Sequence, residues 1–367
     1  DLYLTKACVR CHLWSFGDNK FPADYRSSGC SACHMSYSDR GVSESADPTV
    51  DRGGPPHPIE HTLTAAIPTE TCTHCHYRGG RIGISYQGFR EGAGAGFNPP
   101  RGESLRKALH GHDADFYVTD EDRDNNRDET PPDVHFKAGM DCVDCHTSHD
   151  VHGDGHLYGS TDLAVEIRCE DCHGTERAVT DGKTRLGNTL KQLEIDGEDV
   201  FLTTRVKQLR LEVPQIKAAI DAAADDSYLH RSMGRNAEGF SHLDDIACHT
   251  CHSGWIPSCY GCHVKVDMGA AQRSLITGAT TPGRATGGRK WVTTDDLVLM
   301  VDSQGRVSPS MPAERMFFTV IGADGETIID NRIRVGPDGT PGHGQRAFSP
   351  HTIQRWSPFM ACDRCHP

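Results

Sequence analysis

Every one of the 16 cysteines in this 367-residue chain lies in a Cys-x-x-Cys pair, and every pair is followed at once by histidine. The pairs are Cys8 and Cys11, Cys30 and Cys33, Cys72 and Cys75, Cys142 and Cys145, Cys169 and Cys172, Cys248 and Cys251, Cys259 and Cys262, and Cys362 and Cys365. Their histidines are His12, His34, His76, His146, His173, His252, His263 and His366. No cysteine is left over. Zinc sites, redox dithiols and disulfide frameworks also use paired cysteines, but none of them requires a histidine after each pair. With 22 histidines in 367 residues, eight such successes by chance have a probability of roughly 10⁻¹⁰.

The spacing matches the attachment of haem c. Two thiols separated by two residues reach both vinyl groups of one macrocycle, and the adjacent histidine turns back beneath the ring to hold the iron. Eight such groups change what the composition means. Only 36% of residues are hydrophobic and 7% aromatic, with 38 Gly and 20 Pro, a balance that otherwise reads as disorder. About 46 residues are available per motif, too few for eight separately folding units. The macrocycles must therefore pack together and take the place of a side-chain core. The expected fold class is a multihaem cytochrome c, haem-packed, mostly α and irregular, with small β-hairpin elements. It is expected as a single octahaem domain over 1–367, with haem-free insertions near 174–247 and 264–350. Asp196-Gly197 and Asp324-Gly325, each between alternating segments, predict hairpins there. The Ala-rich stretch 215–225 predicts a short helix.

The net charge of −13 supplies no basic stripe and argues against a nucleic-acid partner. Eight ferric haems with ionised propionates would take it to roughly −21, so cations such as Arg78 and Arg81, beside the third motif, are expected near propionates. No apolar run approaches the roughly 18 residues of a membrane helix, so no transmembrane segment is expected. The start at Asp1, without a basic and apolar leader, reads as a processed or trimmed chain. Haem c maturation places the expected location outside the cytoplasm, in the periplasm, in the extracellular space or on the cell surface.

Eight histidines serve as motif ligands, and 14 remain for sixth positions, enough for bis-histidine iron throughout. His61-Thr62-Leu63 precedes Cys72 by 11 residues with Pro68 between, and His351-Thr352-Ile353 precedes Cys362 by the same 11 with Pro358 in the matching place. This repeat nominates His61 and His351. His135 and His242 precede motifs by seven and six residues. Such an upstream histidine often serves a neighbouring haem. His152, His230 and His57 follow, then one of His110 and His112, with His149 as a substitute. His74 and His249 lie inside attachment loops and His343 in a Gly-rich loop, and these are set aside. Met35, Met140 and Met360, close to motifs, are the alternative ligand type. A calcium site could be assembled from Asp120, Asp122, Asp124 and Asn126, but Pro131 stands where an EF-hand needs Glu, and a solvated loop is the plainer reading.

With all eight motifs in hand, the chain resembles the octahaem c-type cytochromes. That group includes hydroxylamine oxidoreductase, octahaem tetrathionate reductase and octahaem nitrite reductase, as well as non-enzymatic carriers. The segment from His351 to Cys362 looks like the last haem segment of the tetrathionate-reductase-like members. No motif ends in the Lys that the nitrite reductases use on their catalytic haem. The resemblance implies electron transfer to redox partner proteins or an external acceptor in anaerobic or extracellular respiration. The alternative is an octahaem oxidoreductase of a small nitrogen or sulfur compound, which needs one open sixth position. No catalytic constellation is visible, so the chain reads as a carrier before an enzyme. Haem motifs near both ends suggest homo-oligomers or a head-to-tail conductive filament. The stoichiometry is directly testable: intact mass should exceed the polypeptide by eight haem masses, and a deficit of one would mark one motif as a decoy.

Overall fold

The computed structural model describes residues 2–6, 9, 28–35, 63–76, 82–91, 116–117, 130–225, 227–259, 262–289, 292–293, 297–312, 316–331, 337 and 344–366. The chain divides into two compact units. One comprises Asp1–Pro132, Trp255–Asp296 and Met311–Arg346, and the other Asp133–Gly254, Leu297–Ser310 and Ala347–Pro367. Among the described residues, no helix is long and apolar enough to cross a membrane.

The first unit combines short helices with a four-stranded sheet. The helices are Leu2–Lys6, Ser31–His34, Thr69–His76 and Ile82–Tyr86. In the sheet, Thr327–Asp330, Met316–Ile321, Cys262–Arg273 and Thr280–Arg289 lie side by side in that order. Met316–Ile321 runs parallel to Cys262–Arg273, and the two outer pairings are antiparallel. Val264 and Val266, two residues apart and so on one face, are both buried. The Leu2–Lys6 helix docks on the long hairpin. Lys6 is buried, and its ammonium donates to the carbonyls of Thr281, Pro282 and Gly283 at 2.7, 2.6 and 2.5 Å. Three acceptors match its three protons, which is what makes burial of that charge tolerable.

The second unit is built from single-turn and two-turn helices. Four contain or abut haem motifs: Cys142–Cys145, Cys169–His173, Cys248–His252 and the 3₁₀ turn Cys362–Arg364. Segments this short have no intrinsic helical stability, so side chains must hold their ends. The backbone N–H of Asp141 donates to Asp144 at 2.8 Å, and that of Arg168 donates to Asp171 at 2.9 Å. In both helices the aspartate is the third helical residue, and it closes one half of a capping box. Asp133, Thr147, Ser227 and Ser241 cap the helices Val134–Lys137, Ser148–His152, Tyr228–Met233 and His242–Asp245.

The stretch 174–247, expected as a haem-free insertion, carries the antiparallel sheet Leu193–Asp196, Asp199–Thr203 and Arg210–Glu212. The first hairpin turns at Asp196-Gly197, with Gly197 at φ 64°, a conformation that glycine adopts without penalty. This sheet props up the fourth motif. Val200, Leu202 and Val213 form a buried cluster with Met140, and Cys172 packs against it. Arg205 N–H donates to Asp144 at 2.7 Å, and Lys207 pairs with Asp141 at 2.9 Å. The stretch expected to be helical contains the helix Ile216–Asp221.

The β content in 264–350 exceeds the expected small hairpins. Cys262–Arg273 and Thr280–Arg289 are strands of 12 and 10 residues. The hairpin predicted around Asp324-Gly325 forms between Met316–Ile321 and Thr327–Asp330. The proposed calcium ligands Asp120, Asp122, Asp124 and Asn126, and Arg78 and Arg81, lie outside the described residues.

Packing in the Met140 cluster can be tested. Leu202→Ala should destabilise this unit by about 2–5 kcal/mol, because it empties a buried site. Ile195→Ala, on the exposed side of the same sheet, should cost well under half of that in denaturant titration.

Candidate haem centres

The second unit brings three pairs of histidine rings close together. His146 and His351 have ring centroids 6.1 Å apart, His135 and His173 6.1 Å, and His242 and His366 6.0 Å. Each pair joins a motif histidine (His146, His173 or His366) to one outside any motif. An imidazole nitrogen binds a metal at about 2 Å and lies about 1.2 Å from its ring centroid, so two rings sharing one iron stand roughly 6.3 Å apart. The three pairs fall within a few tenths of an ångström of that spacing. Their interplanar angles of 14°, 54° and 74° are all compatible with it, since each ring can rotate about its own nitrogen–metal axis. Ordinary ring packing also covers this distance range. It gives no reason for one motif and one non-motif histidine in every pair.

Fixed acceptors orient the rings. His146 Nδ1 lies 2.9 Å from Asp150 Oδ2, and His135 Nδ1 lies 2.9 Å from Asp133 Oδ1. His173 Nδ1 lies 2.8 Å from the Pro214 carbonyl, and His351 Nδ1 lies 3.1 Å from that of Ser349. Anchoring Nδ1 in this way makes Nε2 the metal-binding nitrogen and fixes the ring plane. Burial pushes His351 down to about 4 and also depresses His173, so both are neutral at pH 7, the form a metal requires. His146 differs. Burial would depress it, but the Asp150 carboxylate outweighs that and holds it above its ordinary value. Asp150 in turn is held below the usual carboxylate range despite its burial, through His146, the Glu166 N–H and Thr147.

A second arrangement recurs in the two units. His34 Nδ1 lies 2.8 Å from the Thr64 carbonyl, and Thr64 N–H donates to the His34 carbonyl at 2.8 Å. His252 Nδ1 lies 3.0 Å from the Gln354 carbonyl, and Gln354 N–H donates to the His252 carbonyl at 2.7 Å. Thr64 and Gln354 are each three residues beyond the repeated histidines His61 and His351. The repeat read in the sequence is thus a clasp on a motif histidine. His61 itself lies outside the described residues.

Two thiols of the fourth and fifth motifs are held in the neutral form by desolvation. Burial pushes Cys172 up to about 12 and raises Cys145 further. Redox dithiols need the opposite shift. A hydrogen bond between Cys169 and Cys248 raises the first thiol and lowers the second, and it places the fifth and sixth motifs' attachment points side by side. A cleft beside Cys248 is lined by Glu170, Arg177 and Arg306, among others. Arg306 Nε is buried there without a hydrogen-bond partner, 3.9 Å from Asp302, and its Nη1 lies 3.8 Å from Glu170.

Among the described residues, His149 and His156 are not brought to a motif histidine: His149 faces Asp154 at 3.8 Å, and His156 pairs with the same carboxylate at 3.2 Å. His152 is exposed. His230 is half-buried, and its Nδ1 is buried with no hydrogen-bond partner. His249 Nε2 lies 3.0 Å from Ser308 Oγ. The seventh motif departs from the rest, because His263 stands in a strand with Nε2 2.8 Å from Thr319 Oγ1. The motif residues Cys8, Cys11 and His12, and the candidates His57, His61, His110 and His112, lie outside the described residues. Among the described residues, no cluster of three or more His, Cys, Asp or Glu could hold a bare metal ion. Asp133 and Asp150 escaped sequence reading. The available signals were an Asp-x-His helix cap and a carboxylate four residues after a motif histidine.

Residues 103–174 match the cytochrome c554 and c-prime family. The match covers the fourth and fifth motifs and His135, and it supports a c-type cytochrome with haem-based electron transfer. No curated protein and no solved structure matches the chain.

If the paired rings share iron, His135→Ala, His242→Ala and His351→Ala should each convert one low-spin haem to high spin and leave the others unchanged. His156→Ala should change none. EPR of the ferric protein reads the difference.

Proposed function

We propose that the chain carries electrons on haem c groups attached at its eight motifs, with two histidines at each iron and no open coordination position. The observation that carries this reading is the set of three ring pairs at 6.0–6.1 Å, each joining a motif histidine to one outside the motifs. When bound there, haem supplies one-electron iron chemistry at potentials set by its axial ligands and their hydrogen bonds. The protein's part is to orient and to exclude water. Asp150, Asp133, Pro214 and Ser349 hold the imidazole planes, and the three ring pairs would hold iron from both sides and leave no position there for a small molecule. The attachment helices are held at their N-termini by Asp144 and Asp171, so the thioether anchors are fixed to a braced backbone. The reading places the protein outside the cytoplasm, where haem c is attached, and gives it redox proteins or an external acceptor as partners.

The test is a haem count by pyridine haemochrome and intact mass, together with EPR of the oxidised protein. The expected result is covalent haem at every motif and low-spin iron alone. Absence of covalent haem would end the reading. A high-spin ferric signal with cyanide or nitrite binding would move it to the oxidoreductase alternative.

A further inference from the structure

The haem reading leaves one buried carboxylate with an unusual set of partners. Asp133 is 2% exposed. Its Oδ1 accepts from His135 N–H at 2.9 Å and lies 2.9 Å from His135 Nδ1. Its Oδ2 accepts from Ile353 N–H at 2.8 Å. Ile353 lies two residues beyond His351, and its own carbonyl accepts from Val134 N–H at 2.8 Å. One carboxylate therefore fixes the non-motif histidine that faces His173 and also the backbone that carries the non-motif histidine facing His146. The chemistry of helix capping does not require this. A cap needs one oxygen on its own helix, and here the second oxygen reaches across 220 residues of sequence.

We infer that Asp133 is a shared positioning residue for the paired ligands of the fourth and fifth motifs, and that it ties the properties of those two haems together. The inference rests on the haem reading. It acts in two ways. A carboxylate on Nδ1 gives an imidazole anionic character, which favours ferric iron and lowers the potential of the haem His135 would serve. The bond to Ile353 N–H sets the position of His351, and with it the ligand field of the neighbouring haem. Asp150 makes the contrast. Through His146 it touches one pair only, so it belongs to one haem.

The experiment uses the full-length haem-loaded protein, two variants that assign the haems and three that test the inference. His351→Ala and His135→Ala first assign the spectral signature of each of the two haems. Asp133→Asn keeps the shape but removes the charge and one of the two acceptor oxygens. It should raise the midpoint potential of the fifth-motif haem and perturb the low-spin EPR signal of the fourth in the same molecule. Asp150→Asn should raise the potential of the fourth alone. Ile353→Pro removes the N–H that Asp133 accepts and also fixes the local backbone, so it should perturb the fourth-motif haem more than the fifth, and it serves as the second route should Asp133→Asn fail to assemble. The haem facing His242 and His366 should keep its signal in all three. An Asp133→Asn change confined to one haem, or spread equally over every haem, overturns the inference, as does an Ile353→Pro protein with an unaltered fourth haem. Wild-type protein without covalent haem instead overturns the reading beneath it, and that result is seen before any variant is made.

Discussion

An imidazole can serve a buried iron only if its ring is held in one plane with the right nitrogen facing the metal, and on the proposed haem reading that requirement organises the second unit. Neutral imidazole has one donor and one acceptor nitrogen, so committing Nδ1–H to a fixed acceptor decides both the tautomer and the ring direction. His135 and His146 are committed to carboxylates, and His34, His173, His252 and His351 to backbone carbonyls. A carbonyl acceptor is positioned only as well as the chain that bears it. The backbone around Pro214, Ser349 and Gln354 therefore has to be as well determined as a ligand.

This explains why so little conventional core suffices. The chain is 36% hydrophobic, yet its short helices are capped, cross-braced and pinned to one another by buried polar groups. Thr147, Thr184 and Asn188 all donate to Glu166, which is itself linked through its N–H to Asp150 and so to His146. A fully satisfied network of this kind gives a single geometry where a loosely packed apolar surface would allow several. The small sheet of Leu193–Glu212 belongs to the same logic. It lies in the stretch read from the sequence as a haem-free insertion, and it supports Asp144 through Arg205 and buries Met140 beside the fourth attachment helix.

What could be read from the sequence was local. The Asp-Gly turns and the 215–225 helix depend on neighbours within a few residues. His135, His242 and His351 stood out because each precedes a motif. The motif each ring faces was not legible. His135 precedes the fourth motif but faces His173 of the fifth. His242 precedes the sixth but faces His366 of the eighth, and His351 precedes the eighth but faces His146 of the fourth. Local chain places the histidine, and the tertiary path of the attachment helices decides its partner. Asp133 was invisible for the same reason, since its second contact is 220 residues away. The seventh motif shows the limit in another form. Its residues satisfy the attachment pattern, but the strand Cys262–Arg273 holds His263 in a sheet beside Thr319.

The segment 349–354 shows how tightly these demands converge. The Ser349 carbonyl orients His351, Thr352 is fully buried with its carbonyl accepting from Gly254 N–H, Ile353 joins Asp133 and Val134, and Gln354 clasps His252. Six residues thus carry one ring that faces the fourth motif, fix the carboxylate that orients the ring facing the fifth, and hold the motif histidine of the sixth. These contacts are all carried on one short stretch of backbone. For a carrier this is an advantage, because an electron passes with least cost where the ligands have the same positions before and after transfer. It also explains the preference for backbone acceptors in this segment. Carbonyls neither titrate nor change rotamer, so the geometry they impose on His252 and His351 stays constant as charge on the neighbouring sites changes.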